Sequence, residues 1–400
     1  MASLTALLVS RYRAFAGNEV LPLRPITLLY GRNNSGKSAL SRAFAMIGAS
    51  VSEHATSALT IPPEVLRGGL FTDLAWQGEA GDYSFDFELR WNAGDVREAR
   101  FTLDGSAGRP TYVKELILKG PSDHVLWTGR AAPGRAMRSA TGGPDVWFTG
   151  LVPRDVDVPP LATLAANMAE LRGRVRWLDG VRARPPRTVS KTGIAPTQLA
   201  SDGSNAAEFL VEMPEVVEAI RGFYSSLTPP RDLDVKDVLD LGHRIRLGPA
   251  TQPGFSVDLV DTGEGMAQVL PVLVAAELAA RTSAIVVIEE AESHLHPDAQ
   301  TILARYLCNL AAAPNPPTII METHSRVFLL GVQLAVAAKT LPNHRVQLAW
   351  VDQDATGRST ITAVELAESG HPLPGWPVSA LGEDFRLAAQ LATVTTGNPP

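Results

Sequence analysis

Four short stretches of this chain carry residues able to do phosphate chemistry. The first is Gly31-Arg-Asn33-Asn34-Ser35-Gly36-Lys37-Ser38, with the spacing G-x-x-x-x-G-K-S. Its glycines let successive main-chain N–H groups curl around a polyphosphate, and a helix starting at its end adds roughly half a positive charge at the same point. Lys37 then reaches the β- and γ-phosphates, and the Ser38 hydroxyl ligates a metal, so the implied cofactors are ATP and Mg2+. The second stretch is the apolar run Ile285-Val-Val-Ile288, which ends in Glu289-Glu290. Acids at such a strand end divide the work: Glu289 holds the metal through water, and Glu290 polarises the attacking water. The third run, Thr318-Ile-Ile-Met321, ends in Glu322-Thr323-His324-Ser325, which puts His324 within reach of the γ-phosphate or the attacking water. The fourth, Asp261-Thr262-Gly263-Glu264-Gly265-Met266-Ala267-Gln268, opens a helix with two glycines and reads as a further anion-seeking N-terminus.

Lesser candidates have a bland reading beside the functional one. Arg13 lies one turn from the loop if Leu4–Val9 and Leu21–Tyr30 pair as a hairpin; it either reaches the α-phosphate or is a solvated edge arginine. Glu292, His294 and His296 resemble a metal triad, but a zinc-type site needs three or four converging ligands, and the strand-end motif accounts for them better. Val351-Asp352-Gln-Asp354 follows a strand as a nuclease metal pair would, yet a hairpin turn between 346–351 and 359–366 explains the same residues. Arg172, Arg174, Arg176, Arg182, Arg184, Arg187 and Lys191, opposed only by Asp179, form the most basic stretch of an acidic chain, with net charge −6. That stretch either contacts a nucleic-acid backbone or an acidic partner, or is a rim of internal ion pairs.

These residues need a scaffold, and the periodicities supply one. Ile26–Tyr30 reads as a buried strand, and Leu40, Phe44, Ile47 and Val51 form the core stripe of the helix that carries the loop. Alternation over 83–91 and 100–103 marks antiparallel strands, and helices are expected at 160–172 and 214–226. Hydrophobic residues make up 45% of the 400, enough for a large core. The single cysteine, Cys308, lies in an apolar helical pattern, so it reads as buried and inert. No apolar tract approaches the roughly 20 residues a membrane span needs, and no secretory leader is apparent, so the expected location is the cytoplasm.

Together the loop Gly31–Ser38, the Gly263-x-Gly265 signature, Glu289-Glu290-x-Glu292-x-His294-Leu-His296-Pro297 and Glu322-Thr-His324-Ser resemble the ABC-type ATPases of the SMC and RecF kind. Within them, the chain is similar to the bacterial overcoming-lysogenisation-defect-like ATPases that lack a nuclease domain. The resemblance continues through Trp177-Leu-Asp-Gly-Val-Arg182, Asp202-Gly-Ser-Asn205 and Gly370-His-Pro-Leu-Pro-Gly-Trp376-Pro377, and so covers nearly the whole chain. It implies that Asn33 contacts the γ-phosphate and that Gln77 senses Mg2+ and the γ-phosphate. It also implies that two heads sandwich two ATP molecules, the signature of one completing the site of the other. The chain departs from that pattern where Gly263 and Ala267 replace the usual hydroxyl residues, Ala291 replaces a proline, and the first acid is Glu289 rather than Asp. The γ-phosphate of the opposing head is then left to main-chain N–H groups near Gly263 and Gly265, with Thr262 and Gln268 as the nearby polar side chains.

The expected fold is therefore an α/β P-loop head of the ABC/SMC kind, with a mixed sheet, an antiparallel β subdomain and a helical insertion. Residues 1–105 and 250–365 are expected to form the nucleotide-binding core, 106–249 the insertion with the basic stretch, and 366–400 a tail. The expected function is a slow ATPase switch that dimerises head-to-head and controls a protein effector, in bacterial anti-phage defence. The alternative is a RecF-like DNA-binding or repair ATPase, for which nucleic acid is the partner.

Overall fold

The structure is a computed structural model that describes residues 2–78, 83–106, 109–140, 142–154, 157–239, 242–252 and 254–377, together with 382, 387, 390 and 391. Most of the expected tail beyond 377 thus lies outside the described residues.

Six strands form the central sheet, in the order Val175–Leu178, Ile285–Glu289, Thr318–Glu322, Ile26–Gly31, Val346–Gln353, Ser359–Glu365. The first five run parallel, and Ser359–Glu365 returns antiparallel along Val346–Gln353. Parallel strands are covered on both faces, so such strands read as unbroken apolar runs rather than alternating ones. Ile26–Gly31 and Ile285–Glu289 are buried at every residue.

One face of this sheet is covered by the helix Lys37–Ser50, which is itself roofed by a seven-stranded sheet of Glu19–Pro22, Leu4–Ser10, Phe85–Trp91, Glu98–Asp104, Tyr112–Lys119, Val125–Arg130 and Arg138–Ser139. All neighbours in that second sheet pair antiparallel. Leu40, Phe44, Ile47 and Val51 are buried in one cluster with Phe85, Phe87 and Phe101 of the roof and Leu29, Val287 and Ile320 of the central sheet. Burying side chains of this size stabilises by about 1.5–3 kcal/mol each before the entropy of ordering them. The opposite face packs against the helices Glu264–Thr282, Pro297–Ala312 and Arg326–Ala337, where Cys308 is buried as expected.

Residues 106–249 contribute strands to both sheets, since Val175–Leu178 is the edge of the central one. Helices Pro159–Glu170 and Pro214–Ser225 lie where the periodicity puts them. The Asp352 and Asp354 question resolves as a hairpin: Gln353 pairs with Ser359, and the Asp354 carboxylate accepts the main-chain N–H groups of Thr356 and Arg358 at 2.8 and 3.0 Å. Trp376 packs edge-on against Tyr30 and Trp350, with ring centroids 5.6 and 5.9 Å away, and so fastens the 370–377 segment to the central sheet.

Candidate functional site

The carboxyl ends of the parallel strands meet at a cavity of about 600 Å³. It is lined by Arg13, the loop from Asn33 to Ser38, Gln77, Glu290, Glu322 and His324 among others. These residues alone come from five separate parts of the sequence, brought to one place.

The loop has the backbone such a cradle needs. Gly36 caps the helix Lys37–Ser50 in a left-handed conformation, φ 101°, and Asn34 takes φ 66°. A Cβ on Gly31 would overlap the Val351 carbonyl oxygen, so the strand beside the loop leaves room only for glycine. The helix has neither a side-chain cap nor an acid in its first turn, which leaves its N-terminal N–H groups and positive dipole end uncompensated by side chains. Lys37 is buried, its Nζ donating to the carbonyls of Gly31 and Arg32 at 3.1 and 2.8 Å. Burial holds its pKa below the ordinary lysine value, opposed by the nearby charges of Glu322 and Glu290.

The acids differ from the sequence reading in their partners. Ser38 Oγ donates to Glu322 Oε1 at 2.9 Å, whereas Glu289 accepts from Arg42 at 3.1 Å and from the Trp177 indole N–H at 3.0 Å. The strand order explains the exchange. Thr318–Glu322 lies between Ile26–Gly31 and Ile285–Glu289, so its terminal carboxylate is the one beside the loop helix. Sequence reasoning named Glu322 only as part of a motif; its position at a strand end, two residues before His324, was the signal available. Burial pushes the Glu289 carboxyl up to about 7, with Glu322 adding to the shift and Arg42 opposing it. Glu322 is also raised, chiefly by burial.

Glu290 lines the cavity and holds a left-handed backbone, φ 48°, a conformation that costs a non-glycine residue about 1 kcal/mol or more. Its main-chain N–H donates to the Glu322 carbonyl at 2.8 Å, and its carboxylate accepts from Ser293 Oγ at 2.9 Å. His324 also lines the cavity, and its main-chain N–H is fixed by Glu292 Oε1 at 3.0 Å. Burial, joined by the Lys37 charge, keeps its pKa below the ordinary histidine value, so the ring is neutral at pH 7. Glu292 is turned inward, accepting from Thr323 Oγ1 at 2.6 Å, and His296 caps the helix Pro297–Ala312. Among the described residues no group of His, Cys, Asp and Glu is arranged to hold a metal, so the Glu292, His294, His296 triad is not formed.

Gln77 lines the cavity, but its amide nitrogen is committed to the carbonyls of Thr72 and Ala75 at 2.6 and 3.2 Å. The signature residues lie outside the cavity lining. Thr262 Oγ1 donates to the Leu259 carbonyl at 2.6 Å, and Gln268 is buried, donating to the Arg182 carbonyl at 3.2 Å and to Glu264 at 2.8 Å. A Cβ on Gly265 would overlap the His294 carbonyl oxygen, while Gly263 faces open space. Four members of the basic stretch are ion-paired within the chain: Arg172 with Glu53, Arg174 with Glu170, Arg184 with Glu264, and Arg187 with Asp258 and Asp261. Arg182 is buried.

The donor set fits a magnesium polyphosphate. Ser35 Oγ and Glu322 Oε2 are buried without a hydrogen-bond partner, and hard oxygen donors beside a phosphate cradle are the ligands Mg2+ takes. No helix among the described residues is long and apolar enough to cross a membrane.

Residues 213–331 match the family model described as "AAA domain, putative AbiEii toxin, Type IV TA system". No curated protein sequence matches the chain. Among solved structures, the fold is similar to the Smc head bound to the C-winged helix domain of ScpA, at TM-score 0.54 and 13% identity over 92% of this chain and 98% of that one. It is also similar to the Smc head domain with an extended coiled coil bound to the C-terminal domain of ScpA, from Pyrococcus furiosus, at TM-score 0.53 and 11% identity over 98% of this chain and 100% of that one. The chain therefore has the mixed α/β fold of an SMC head.

Proposed function

We propose that this chain binds ATP with Mg2+ and hydrolyses it slowly, as a switch whose nucleotide state governs head-to-head dimerisation and, through it, a protein effector. One juxtaposition carries the reading: the loop Asn33–Ser38, Glu290 and His324 line a single cavity, with Ser38 hydrogen-bonded to Glu322 beside them. Bound Mg2+ would supply charge neutralisation between the β- and γ-phosphates. Ser38 would be its direct ligand and Glu322, hydrogen-bonded to Ser38, would hold its waters, whereas Glu289 is taken by Arg42 and Trp177 outside the cavity lining.

The residues of the chain do the rest. Gly31, Asn34, Ser35 and Gly36 shape the cradle, Lys37 supplies the point charge on the β- and γ-phosphates, Asn33 meets the γ-phosphate, and Arg13 reaches the α-phosphate. Glu290 takes the proton of the attacking water at its carboxylate, and neutral His324 fixes that water or the γ-phosphate by hydrogen bonding. Gln77, with its nitrogen committed, contributes only its carbonyl oxygen.

Of the signature residues, Thr262 and Gln268 are bonded within the chain and Gly265 is packed against His294, so the main chain around Gly263, which faces open space, is the part left to act on the site of a second head. An effector, and a place in anti-phage defence, rest on the likeness to the overcoming-lysogenisation-defect-like ATPases and on a family model whose description names a toxin. The ion pairs that four arginines of the basic stretch make within the chain favour this reading over the DNA-binding alternative.

The test is nucleotide affinity of the parent and of Lys37→Ala by calorimetry with Mg2+. The parent should bind ATP, and the variant should bind roughly 10²-fold more weakly, the loss of a charge-assisted contact to two phosphates. Equal affinities would sink the assignment.

A further inference from the structure

The stretch Trp177–Arg182 is not part of the phosphate loop, yet it wraps the acid pair. Arg182 is 5% exposed, and its Nη2 donates to the main-chain carbonyls of both Glu289 and Glu290, the latter at 2.8 Å. Those two carbonyls bracket the point where the strand Ile285–Glu289 ends and Glu290 turns into its left-handed conformation. Gly180 completes the wrap, lying so close that an added Cβ would touch Glu289 Cβ at 3.7 Å and Glu290 Cδ at 3.8 Å. The Arg182 main-chain carbonyl, in turn, accepts the amide of Gln268, which lies one turn into the helix Glu264–Thr282.

We infer that Arg182 is the positioning residue for the hydrolytic acid pair and that, through Gln268, it couples that pair to the start of the helix Glu264–Thr282. The inference rests on reading the cavity as a hydrolytic ATP site. A role in packing alone does not account for the arginine. Its Nε and Nη1 are buried without partners, and a buried, half-satisfied guanidinium is costly where Met or Leu would fill the same space. The surrounding carboxylates of Glu292, Glu290, Asp179 and Glu289 keep it protonated although burial pushes its pKa down to about 10. A fixed charge with two bonds to one turn is a device for holding that turn's geometry, and a catalytic base displaced by 1 Å loses roughly 10²-fold in rate.

Glu264 at the first turn of the helix binds Gln268 at 2.8 Å and Arg184 at 2.7 Å, so a partner engaging this helix start would move Gln268, then the Arg182 main chain, then the turn at Glu290. A second head docked here would thereby report its arrival to the acids of this chain's own site.

Three variants decide it: Arg182→Met, Arg182→Lys and Gln268→Leu, measured for kcat at saturating ATP, for ATP affinity, and, without nucleotide, for amide hydrogen exchange. Arg182→Met should lower kcat by roughly 10²-fold with affinity within about twofold, and Arg182→Lys should restore part of the rate. Exchange over 286–295 should rise in Arg182→Met and, by less, in Gln268→Leu, while 37–50 stays protected. If Glu290→Gln abolishes hydrolysis and Arg182→Met leaves kcat intact, the inference is overturned and the ATPase reading stands. Loss of kcat and affinity in equal measure also overturns it, as general damage. If the parent neither binds nor hydrolyses ATP, the ATPase reading is what fails, and the exchange pattern alone settles whether Arg182 and Gln268 hold the turn. Should Arg182→Met not fold, Arg182→Lys and Gln268→Leu carry the same comparison.

Discussion

Two glycine-opened helix starts, at Lys37 and at Glu264, look alike in sequence and differ in what they leave unspent. At the first, the helix has no side-chain cap and no first-turn acid, and Ser35 Oγ nearby is buried without a partner. At the second, an acid occupies the first turn, Glu264 is bound by Arg184 and Gln268, and Thr262 is closed onto Leu259. The first start is equipped to take an anion by itself. The second has spent its side chains within the chain and offers only the main chain around Gly263, which faces open space. A helix N-terminus attracts anions through groups not already satisfied, so glycines alone do not distinguish the two.

The contrast is sharpened most by Glu290→Gln. It keeps shape and hydrogen bonding while removing the base, so hydrolysis should fall by roughly 10²–10⁴-fold with ATP affinity preserved, and any ATP-dependent dimer should accumulate in sedimentation. A variant as fast as the parent removes Glu290 from the chemistry.

Next in size is Gly263→Arg, which probes the open side of the second helix start. Gly265 is the poorer choice, because any side chain there collides with the His294 carbonyl within the same chain. Gly263→Arg should leave ATP affinity of the monomer within about twofold while reducing ATP-dependent dimer by tenfold or more, as expected for a bulky group placed in a contact that needs close main-chain approach. Undiminished dimer would mean that this helix start meets no second head.

The smallest effect concerns stability. The Glu289 carboxyl sits at about 7 in the folded chain against an ordinary 4.5, so between those values the folded state holds a proton that the unfolded state has released. Stability must then fall as pH rises through that window, by on the order of 2 kcal/mol from this group. Urea midpoints at pH 5 and pH 7.5 in chelator should show the fall in the parent and a flatter profile in Glu289→Gln. An unchanged slope would locate the titration elsewhere, Glu322 and Glu292 being raised in the same direction.

The loop, its strand and its helix were legible in the sequence because they are local: spacing fixes the cradle, and buried parallel strands announce themselves as unbroken apolar runs. The Ser38–Glu322 bond was not legible, since it depends on which strand lies beside Ile26–Gly31, and strand order is not encoded in any one segment. The basic stretch shows the same limit. Its charges are visible in the sequence, but Arg187 meets Asp258 and Asp261, 71 and 74 positions further on, only once the chain between is folded. The crowding of Gly265 by His294 is likewise a property of packing between elements.

Trp177 gives one of these buried contacts an outward sign. Its indole N–H is a donor to Glu289 at 3.0 Å, and the ring is 8% exposed. The electronic transition of an indole responds to charge at its nitrogen, so the ionisation of Glu289 is written into the ultraviolet emission of this one side chain. The chain has seven tryptophans, and the difference spectrum against Trp177→Phe isolates the one that matters. The acid at the end of the second core strand thus comes with its own native optical gauge, readable without label, substrate or turnover.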